Sequence, residues 1–250
     1  MLKCRGCQLQ FAETYPDLDT AETEIYGDRY FVEAIEQRRE RLTTFNELMT
    51  EIESMVGRKG RLLDVGCGDG VLLEVAADNG WEAEGTDVAT AVVRHTRDTK
   101  GLAVHQGEVE DIALERGSFD VIVLNHVLEH VRDPRATLSR LRDLLADDGV
   151  IRVEVPNVAS LSAITQNIQS RYNLKKNRWR HYETGHHFWF FTPRTLARTL
   201  NGAGLTPFQI SAPAEQWGRV SRYKRTLNVL YRLTFWGGHL IAYARPGNKP

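Results

Sequence analysis

Three glycines at alternate positions form the most informative pattern in the chain. Gly66, Gly68 and Gly70 follow the apolar segment 61–65 and precede the helical pattern 71–78. Glycine at such a turn lets the backbone approach a ligand closely and adopt a positive φ. The helix that begins beyond the turn offers N–H groups without intrahelical partners. The pattern therefore predicts a strand-to-helix turn that holds a nucleotide-like ligand.

Two acidic residues accompany this turn. Asp64 lies two residues before Gly66, and Asp87 ends the next predicted strand. At that strand end a carboxylate accepts hydrogen bonds from two ribose hydroxyls. The G-x-G-x-G spacing differs from the G-x-G-x-x-G of dinucleotide folds, and Asp64 would repel a pyrophosphate but suits an ammonium group. The alternative is a tight turn that binds no ligand.

Four stretches match one known family in order and spacing. Residues 64–70, Asp-Val-Gly-Cys-Gly-Asp-Gly, resemble the first motif of class I S-adenosylmethionine-dependent methyltransferases. Residues 84–88 resemble the family's ribose-binding strand end, and residues 107–120 its adenine-side loop. Residues 124–134 resemble the strand-four motif of the small-molecule branch. The resemblance covers about residues 60–156 and implies S-adenosylmethionine as cofactor, with S-adenosylhomocysteine as product.

The resemblance also implies a role for each matched residue. The three glycines would lie against the methionine and ribose parts of the cofactor, Asp64 would hold the ammonium, and Asp87 would bind the ribose. Glu110 or Asp111, with Ile112, would flank the adenine. The other expected cofactor-side residues are Cys67 within the glycine-rich turn, Val88 directly after Asp87, Asn125 and His126 beside the methionine end, and Tyr30, which closes over the cofactor or packs as an ordinary aromatic residue.

A basic and aromatic stretch over residues 178–193 is the best candidate for the acceptor site. Its end resembles the Glu-His-x-x-Phe-Phe-Thr-Pro pattern of a branch that includes sugar C-methyltransferases and is similar to quinone-precursor O-methyltransferases. His187 aligns with the histidine that acts as a base there, while His186 replaces the Glu. An imidazole titrates near pH 6.5 and can accept a proton at neutral pH. The alternatives for His187 are another acceptor contact or a packing role; His126 is the third catalytic candidate.

Two further patterns concern metal ions. His126 and His130 are four residues apart, but the sequence offers no third ligand beside them. Cys4 and Cys7 have half of a zinc-ribbon spacing and resemble the second half of the zinc-binding N-terminus of some sugar C-methyltransferases. Because structural zinc takes four ligands, this chain alone is predicted to hold no metal.

The elements around these motifs alternate between strand and helix. This alternation predicts an α/β fold with a parallel sheet covered on both faces, and the resemblance implies a Rossmann-like, seven-stranded methyltransferase sheet whose last strand is antiparallel. We expect residues 1–56 to form an N-terminal cap segment and helix, and residues 57–250 the methyltransferase domain with a lid at 157–191. Helices are predicted at 29–56, 71–78, 89–97, 134–145 and 194–201, and strands at 61–65, 82–87, 103–106, 119–124, 150–155, 206–211 and 239–245.

Charge is divided unevenly along the 250 residues. Residues 1–156 contain 18 Lys and Arg against 31 Asp and Glu, whereas residues 157–250 contain 14 against two. The basic half favours an anionic small-molecule acceptor. Within it, residues 219–235 form a predicted basic amphipathic helix that touches a membrane surface or packs on the sheet or a second subunit.

Composition limits the remaining classes. No apolar run is long enough to span a membrane, and three cysteines indicate a reducing, cytoplasmic setting rather than a disulfide framework. Either a monomer or a homodimer fits. The predicted function is methyl transfer to a hydroxyl or activated carbon of a small molecule, such as a phosphorylated or nucleotide-linked sugar, quinone precursor or natural product. The alternatives are an RNA methyltransferase, which a missing base-methylation signature at strand four disfavours, and an inactive cofactor-binding domain.

Overall fold

A seven-stranded sheet forms the centre of the molecule. The computed structural model describes residues 1–13, 28–174, 182, 186–213 and 234–247, with the backbone alone for residues 28–36 and 99. The strands of the sheet are β3 (Arg61–Val65), β4 (Glu82–Asp87), β5 (Ala103–Gln106), β6 (Phe119–Asn125), β7 (Leu145–Pro156), β9 (Leu205–Ser211) and β10 (His239–Pro246). Their order in the sheet is β5-β4-β3-β6-β7-β10-β9.

Strand β6 shows why the sheet is covered on both sides. Successive side chains of a strand point to opposite faces. Val121 and Val123 join an apolar cluster on one face, while Ile122 and Leu124 join a cluster on the other face. All four side chains are fully buried, which confirms the predicted helical layers on both faces.

The described part of the chain contains six α-helices: α1 (Asp28–Val56), α2 (Val71–Asp78), α3 (Thr90–Arg94), α4 (Pro134–Leu144), α5 (Leu161–Arg171) and α6 (Pro193–Gly202). The long helix α1 lies on α2 through Phe45, Leu48, Met49 and Ile52, and α4 and α6 cover the opposite face of the sheet. The Asp133 side chain caps α4 by accepting from two backbone N–H groups, and Thr192 caps α6.

The direction of each strand determines which of its ends lies at the sheet edge where the ligand is expected. Strands β3 to β7 run parallel, whereas β10 is antiparallel to both β7 and β9, which confirms the predicted reversal. An antiparallel strand begins at the edge where its parallel neighbours end. His239, the first residue of β10, therefore lies opposite Pro156, the last residue of β7.

Three local features differ from the sequence prediction. The N-terminal segment, expected to be irregular, contains β1 (Leu2–Lys3) and β2 (Gln10–Phe11), which pair with β8 (Trp189–Phe190) in a second small sheet. Helix α5 lies inside the segment expected to be a lid. The helix predicted over residues 89–97 ends as α3 at Arg94 and continues as a π-helical turn, His95–Thr99.

Several predicted features fall partly or wholly outside the described residues. Most of the basic helix at 219–235 lies within residues 214–233, and much of the stretch 178–185 is likewise not described. The division into a cap segment and a methyltransferase domain stays a prediction. Among the helices that the structure describes, none combines the length and the apolar character needed to cross a membrane.

Candidate active site

The glycine-rich turn joins β3 to α2 in a conformation that only glycine adopts readily. Gly66, Gly68 and Gly70 have φ values of 70°, 54° and 75°. The backbone N–H groups of Gly66 and Cys67 both donate to the Thr86 carbonyl, at 2.7 and 3.0 Å. A Cβ at Gly66 would lie 2.5 Å from Val127 Cγ2, so a side chain there would collide with the neighbouring loop.

Asp87 ties the turn to the end of β4. Its carboxylate accepts hydrogen bonds from the Gly68 and Ala89 backbone N–H groups, each at 3.0 Å. These two bonds fix the orientation of the carboxylate beside the turn. Asp87 and its neighbour Val88 both line the cavity described below.

Asp64 is a buried acid beneath the same turn. Burial, followed by the nearby charge of Asp87, raises the pKa of Asp64 to about 8, although Arg41 acts in the opposite direction. A buried carboxyl group of this kind gains most when a cationic partner approaches, because the cation stabilises its charged form. Its chemistry therefore fits the ammonium group of an amino-acid ligand.

Helix α1 holds the glycine-rich turn from outside. The Arg41 guanidinium makes two hydrogen bonds to the Asp69 carboxylate, at 2.7 and 2.9 Å. Both side chains are largely buried, with exposed fractions of 17% and 8%. Lys100 donates to the Asp69 carbonyl and pairs with Glu74 of α2. The turn is thus fixed by charged contacts from two sides.

One cavity of about 730 Å³ opens between the turn, the end of β4 and the loop after β6. This volume lies within the range of about 300–1,000 Å³ that ligand pockets occupy. Of the residues predicted to contact the cofactor, the cavity lining contains Gly66, Asp87, Val88, Glu110 and His126. The lining also contains residues without a predicted role: Val65, Thr86, Gly107, Glu108, Val109, Val127, His130, Val131, Arg132, Asp133, Ala136, Thr137 and Phe188.

Other predicted residues lie beside the cavity rather than in its lining. Asp111 is exposed, and Ile112 packs near Gly107. Asn125 accepts a hydrogen bond from Arg152. Cys67, in the turn, is buried. Of Tyr30 the structure describes only the backbone, within α1, so its role at the cofactor stays a prediction.

Three histidines cluster at one end of the cavity. The rings of His130 and His187 are 4.8 Å apart, as are those of His186 and His187. His130 lines the cavity, and its Nδ1 lies 2.9 Å from the His186 carbonyl oxygen. A bond to that oxygen requires a proton on Nδ1, which leaves Nε2 as the acceptor nitrogen of a neutral ring. The predicted base His187 therefore lies directly behind a histidine that faces the cavity.

His126 occupies the turn after β6 in a strained conformation. Its φ is 55°, a value that non-glycine residues adopt infrequently. Nδ1 lies 3.1 Å from Glu129 Oε1, and Nε2 lies 3.8 Å from Glu154 Oε1. The ring also meets the His239 ring edge-on, with 5.0 Å between centroids.

Burial and neighbouring groups shift the pKa values of His239 and Glu129, which both lie beside His126. Burial lowers the pKa of His239 to about 4, so this imidazole is neutral at pH 7. Burial acts to raise the pKa of Glu129, but the hydrogen bond with His126 and the charges of His126 and His130 together outweigh it and hold that pKa below its usual range. Glu154 is paired with Arg152 at 2.6 Å, and both are buried.

The sequence analysis missed Glu154 and His239 as neighbours of His126. Both residues lie in strands that it identified, and the antiparallel direction expected of the last strand would have placed His239 at the correct edge. The missing step was the strand order, because β10 lies next to β7 only when it is inserted before β9. That order brings Glu154 and His239 to His126, whereas His130, the other histidine of the pair, belongs to a different group.

Cys4 and Cys7 lie in the hairpin between β1 and β2. Hydrogen bonds from the backbone and side chain of Cys7 lower the pKa of Cys4. Both cysteines are free thiols in the structure. In the described part of the chain, no other cysteine, histidine or acid joins them in a metal-binding group.

Comparison with known proteins agrees with this geometry. A family model described as a methyltransferase domain matches residues 35–210. Ubiquinone biosynthesis O-methyltransferase from Haemophilus ducreyi is 33% identical over 141 residues, which cover 52% of this chain and 59% of that protein. The protein of the same name from Dinoroseobacter shibae is 32% identical over 183 residues, covering 68% of this chain and 71% of that protein.

The fold also has close counterparts among solved structures. An S-adenosylmethionine-dependent methyltransferase from Thermotoga maritima superposes with a TM-score of 0.63 at 14% identity, covering 92% of this chain and all of that one. At such low identity the likeness concerns the fold alone. The glycine-rich turn, the acid at the end of β4, the reversed last strand and the family match lead to one assignment. The chain belongs to the class I S-adenosylmethionine-dependent methyltransferases.

Proposed function

We propose that this methyltransferase methylates a phenolic hydroxyl of a small acceptor, such as a quinone precursor. The observation that carries the proposal is the shared cavity: Gly66 and Asp87 line one side, and His126 and His130 line another. A cofactor on the turn and an acceptor beside the histidines would therefore meet without intervening solvent. The names of the relatives, which are ubiquinone biosynthesis O-methyltransferases, support a hydroxyl acceptor.

In this proposal the chain binds S-adenosylmethionine through the residues around the turn. Asp87 accepts hydrogen bonds from the ribose hydroxyls, Asp64 holds the ammonium, and Glu110 lies on the adenine side. The bound cofactor supplies an electrophilic methyl group. The protein aligns the acceptor with it, and alignment of this kind can lower a barrier by about 7–11 kcal/mol.

The histidine cluster removes the proton from the acceptor hydroxyl. The Nδ1–H group of His130 donates to the His186 carbonyl, which leaves Nε2, 3.9 Å from Glu129 Oε1, as the nitrogen that accepts a proton. His187 contacts the His130 ring. It is the alternative proton acceptor in this cluster. Such a base contributes about 10²–10⁴-fold to the rate.

The test is methyl transfer from labelled S-adenosylmethionine to a panel of phenolic quinone precursors. We expect His130→Ala and His187→Ala each to lower kcat by about 10²–10⁴-fold while the Kd for S-adenosylhomocysteine stays within twofold. His105→Ala is the matched control, because His105 pairs with Glu84 away from the cavity lining.

Three results would each contradict a different part of the proposal. Full turnover by both histidine variants would exclude the base role while keeping the acceptor class. Turnover of nucleotide sugars but not of phenols would exclude the acceptor class. Tight tRNA binding with a steep salt dependence would instead favour an RNA substrate.

A further inference from the structure

A second feature at the end of β6 is a group of three potential metal ligands. His126, Glu154 and His239 each offer one nitrogen or oxygen atom, and these atoms lie within 4.8 Å of one another. They come from three separate parts of the sheet: the turn after β6, the end of β7 and the start of β10. Ligands about 2.0–2.1 Å from a zinc ion lie about 3.3 Å apart, so small side-chain rotations would complete the coordination.

Two of these ligands present buried polar atoms that the protein leaves without a hydrogen bond. Glu154 Oε1 and His239 Nδ1 have no hydrogen-bond partner among the described residues. Glu154 as a whole is only 4% exposed. A buried polar atom without a partner costs about 1–3 kcal/mol, so two such atoms beside one another indicate a missing ligand.

Surrounding residues orient two of the three ligand atoms toward each other. Arg152 donates to Glu154 Oε2, which leaves Oε1 directed at His126. Glu129 Oε1 binds His126 Nδ1 and thereby directs Nε2 toward Glu154. A carboxylate behind a ligating imidazole is the usual arrangement at metal sites, because it fixes the tautomer and the ring orientation.

We propose that His126, Glu154 and His239 bind a divalent transition-metal ion of the zinc type. Two imidazoles and one carboxylate form a ligand set that zinc accepts and that magnesium and calcium, which prefer oxygen ligands, do not. Because His126 also lines the cavity, a bound ion would lie close to that space.

A different group of potential ligands lies nearby and must be distinguished. Glu129, His130 and His187 also bring ligand atoms within 4.8 Å of one another. In that group, Glu129 Oε1 already binds His126 and His130 Nδ1 already binds the His186 carbonyl, and only Glu129 Oε2 is a buried atom without a hydrogen-bond partner among the described residues. The first group has two such atoms, Glu154 Oε1 and His239 Nδ1, and is therefore better prepared for an ion.

The test measures zinc binding by the full chain with Cys4→Ser and Cys7→Ser, so that thiolates do not contribute. After chelator treatment, equilibrium dialysis should return one zinc per chain, and cobalt in its place should give a tetrahedral visible spectrum. His239→Phe keeps the ring volume and removes both nitrogens, and we expect at least a 100-fold loss of zinc affinity. Glu129→Gln should lower the affinity by about 10–100-fold, and His105→Ala should leave it unchanged.

Stability in chelator provides the folding control. Because His239 Nδ1 has no hydrogen-bond partner in the described structure, His239→Phe should unfold at the same temperature as the parent or higher. Failure of the cysteine-free chain to bind zinc would overturn the proposal. It would also be overturned if His187→Ala abolished zinc binding while His239→Phe retained it, because the ion would then occupy the other group. Neither outcome depends on the methyl acceptor.

Discussion

Among single residues, Asp64 shows how the fold changes the protonation of a side chain. Its carboxyl group is buried below the glycine-rich turn, with a pKa raised to about 8 from an ordinary value of 3.8. The folded chain therefore retains a proton at pH 7 that the unfolded chain has lost. It follows that the contribution of Asp64 to stability is complete below about pH 4 and is lost as the pH rises toward 8.

This raised pKa gives a prediction for cofactor binding. The ammonium of S-adenosylhomocysteine should favour the carboxylate form, so binding at pH 7 should release close to one proton per chain. Calorimetric titrations in buffers with different ionisation enthalpies measure this release directly. The isosteric variant Asp64→Asn should release none, and equal binding enthalpies for the natural chain in all buffers would contradict the assignment.

A second prediction at this scale concerns Gly66. In Gly66→Ala the new Cβ would lie 2.5 Å from Val127 Cγ2 and would also have to accept a φ of 70°. We expect at least a tenfold weaker Kd for S-adenosylhomocysteine and a loss of stability, both measured on the purified variant.

Gly101→Ala is the matched control for this variant. Gly101 has a φ of 66°, yet a Cβ there meets nothing within 4 Å, so it shares the conformational cost of about 1 kcal/mol without the collision. Adding Val127→Ala to Gly66→Ala should restore part of the binding. Equal affinity in the Gly66 and Gly101 variants would show that the close approach is unimportant.

At the scale of elements, helix α1 is the support of the cofactor turn. The pair of Arg41 and Asp69 is largely buried, and removing one partner of such a pair costs about 3 kcal/mol, because the other charge is left without compensation. The effect of that loss should extend to ligand binding, since Asp69 lies between Gly68 and Gly70.

We therefore expect Arg41→Ala to lower both the unfolding free energy and the affinity for S-adenosylhomocysteine. Arg39→Ala, in the same helix but on its exposed side, should leave both within experimental error. Denaturant unfolding and calorimetric titration measure the two effects. Unchanged affinity in Arg41→Ala would limit α1 to a stabilising role.

Most of the elements could be predicted because their own residues determine them. β6 is apolar on both faces, and the caps at Asp133 and Thr192 mark helix starts that the structure confirms. The strands β1, β2 and β8 contain two residues each, so no periodicity distinguishes them, and they exist only through pairing with one another. Helix α5 was missed because its segment is polar and lacks a buried apolar stripe, with Leu161, Ile164 and Ile168 exposed.

At the scale of the molecule, the sheet order assembles the site. The turn after β3 and the acid at the end of β4 follow from local motifs, and so they could be placed from the sequence. The neighbours of His126 could not, since Glu154 and His239 meet it only after β10 has inserted between β7 and β9. Sites formed by residues close together in the sequence can thus be predicted from the sequence, whereas sites that depend on strand order cannot.

The small second sheet has a consequence for how the chain is made. Gln10 pairs with Phe190, a separation of 180 residues. A ribosome that adds about 5–20 residues per second needs roughly 10–40 s to produce the partner strand after the first segment has emerged. The hairpin of β1 and β2 must therefore wait for its third strand during that time. A segment that precedes the large sheet in the chain thus reaches its final place only after β3 to β7 have been made.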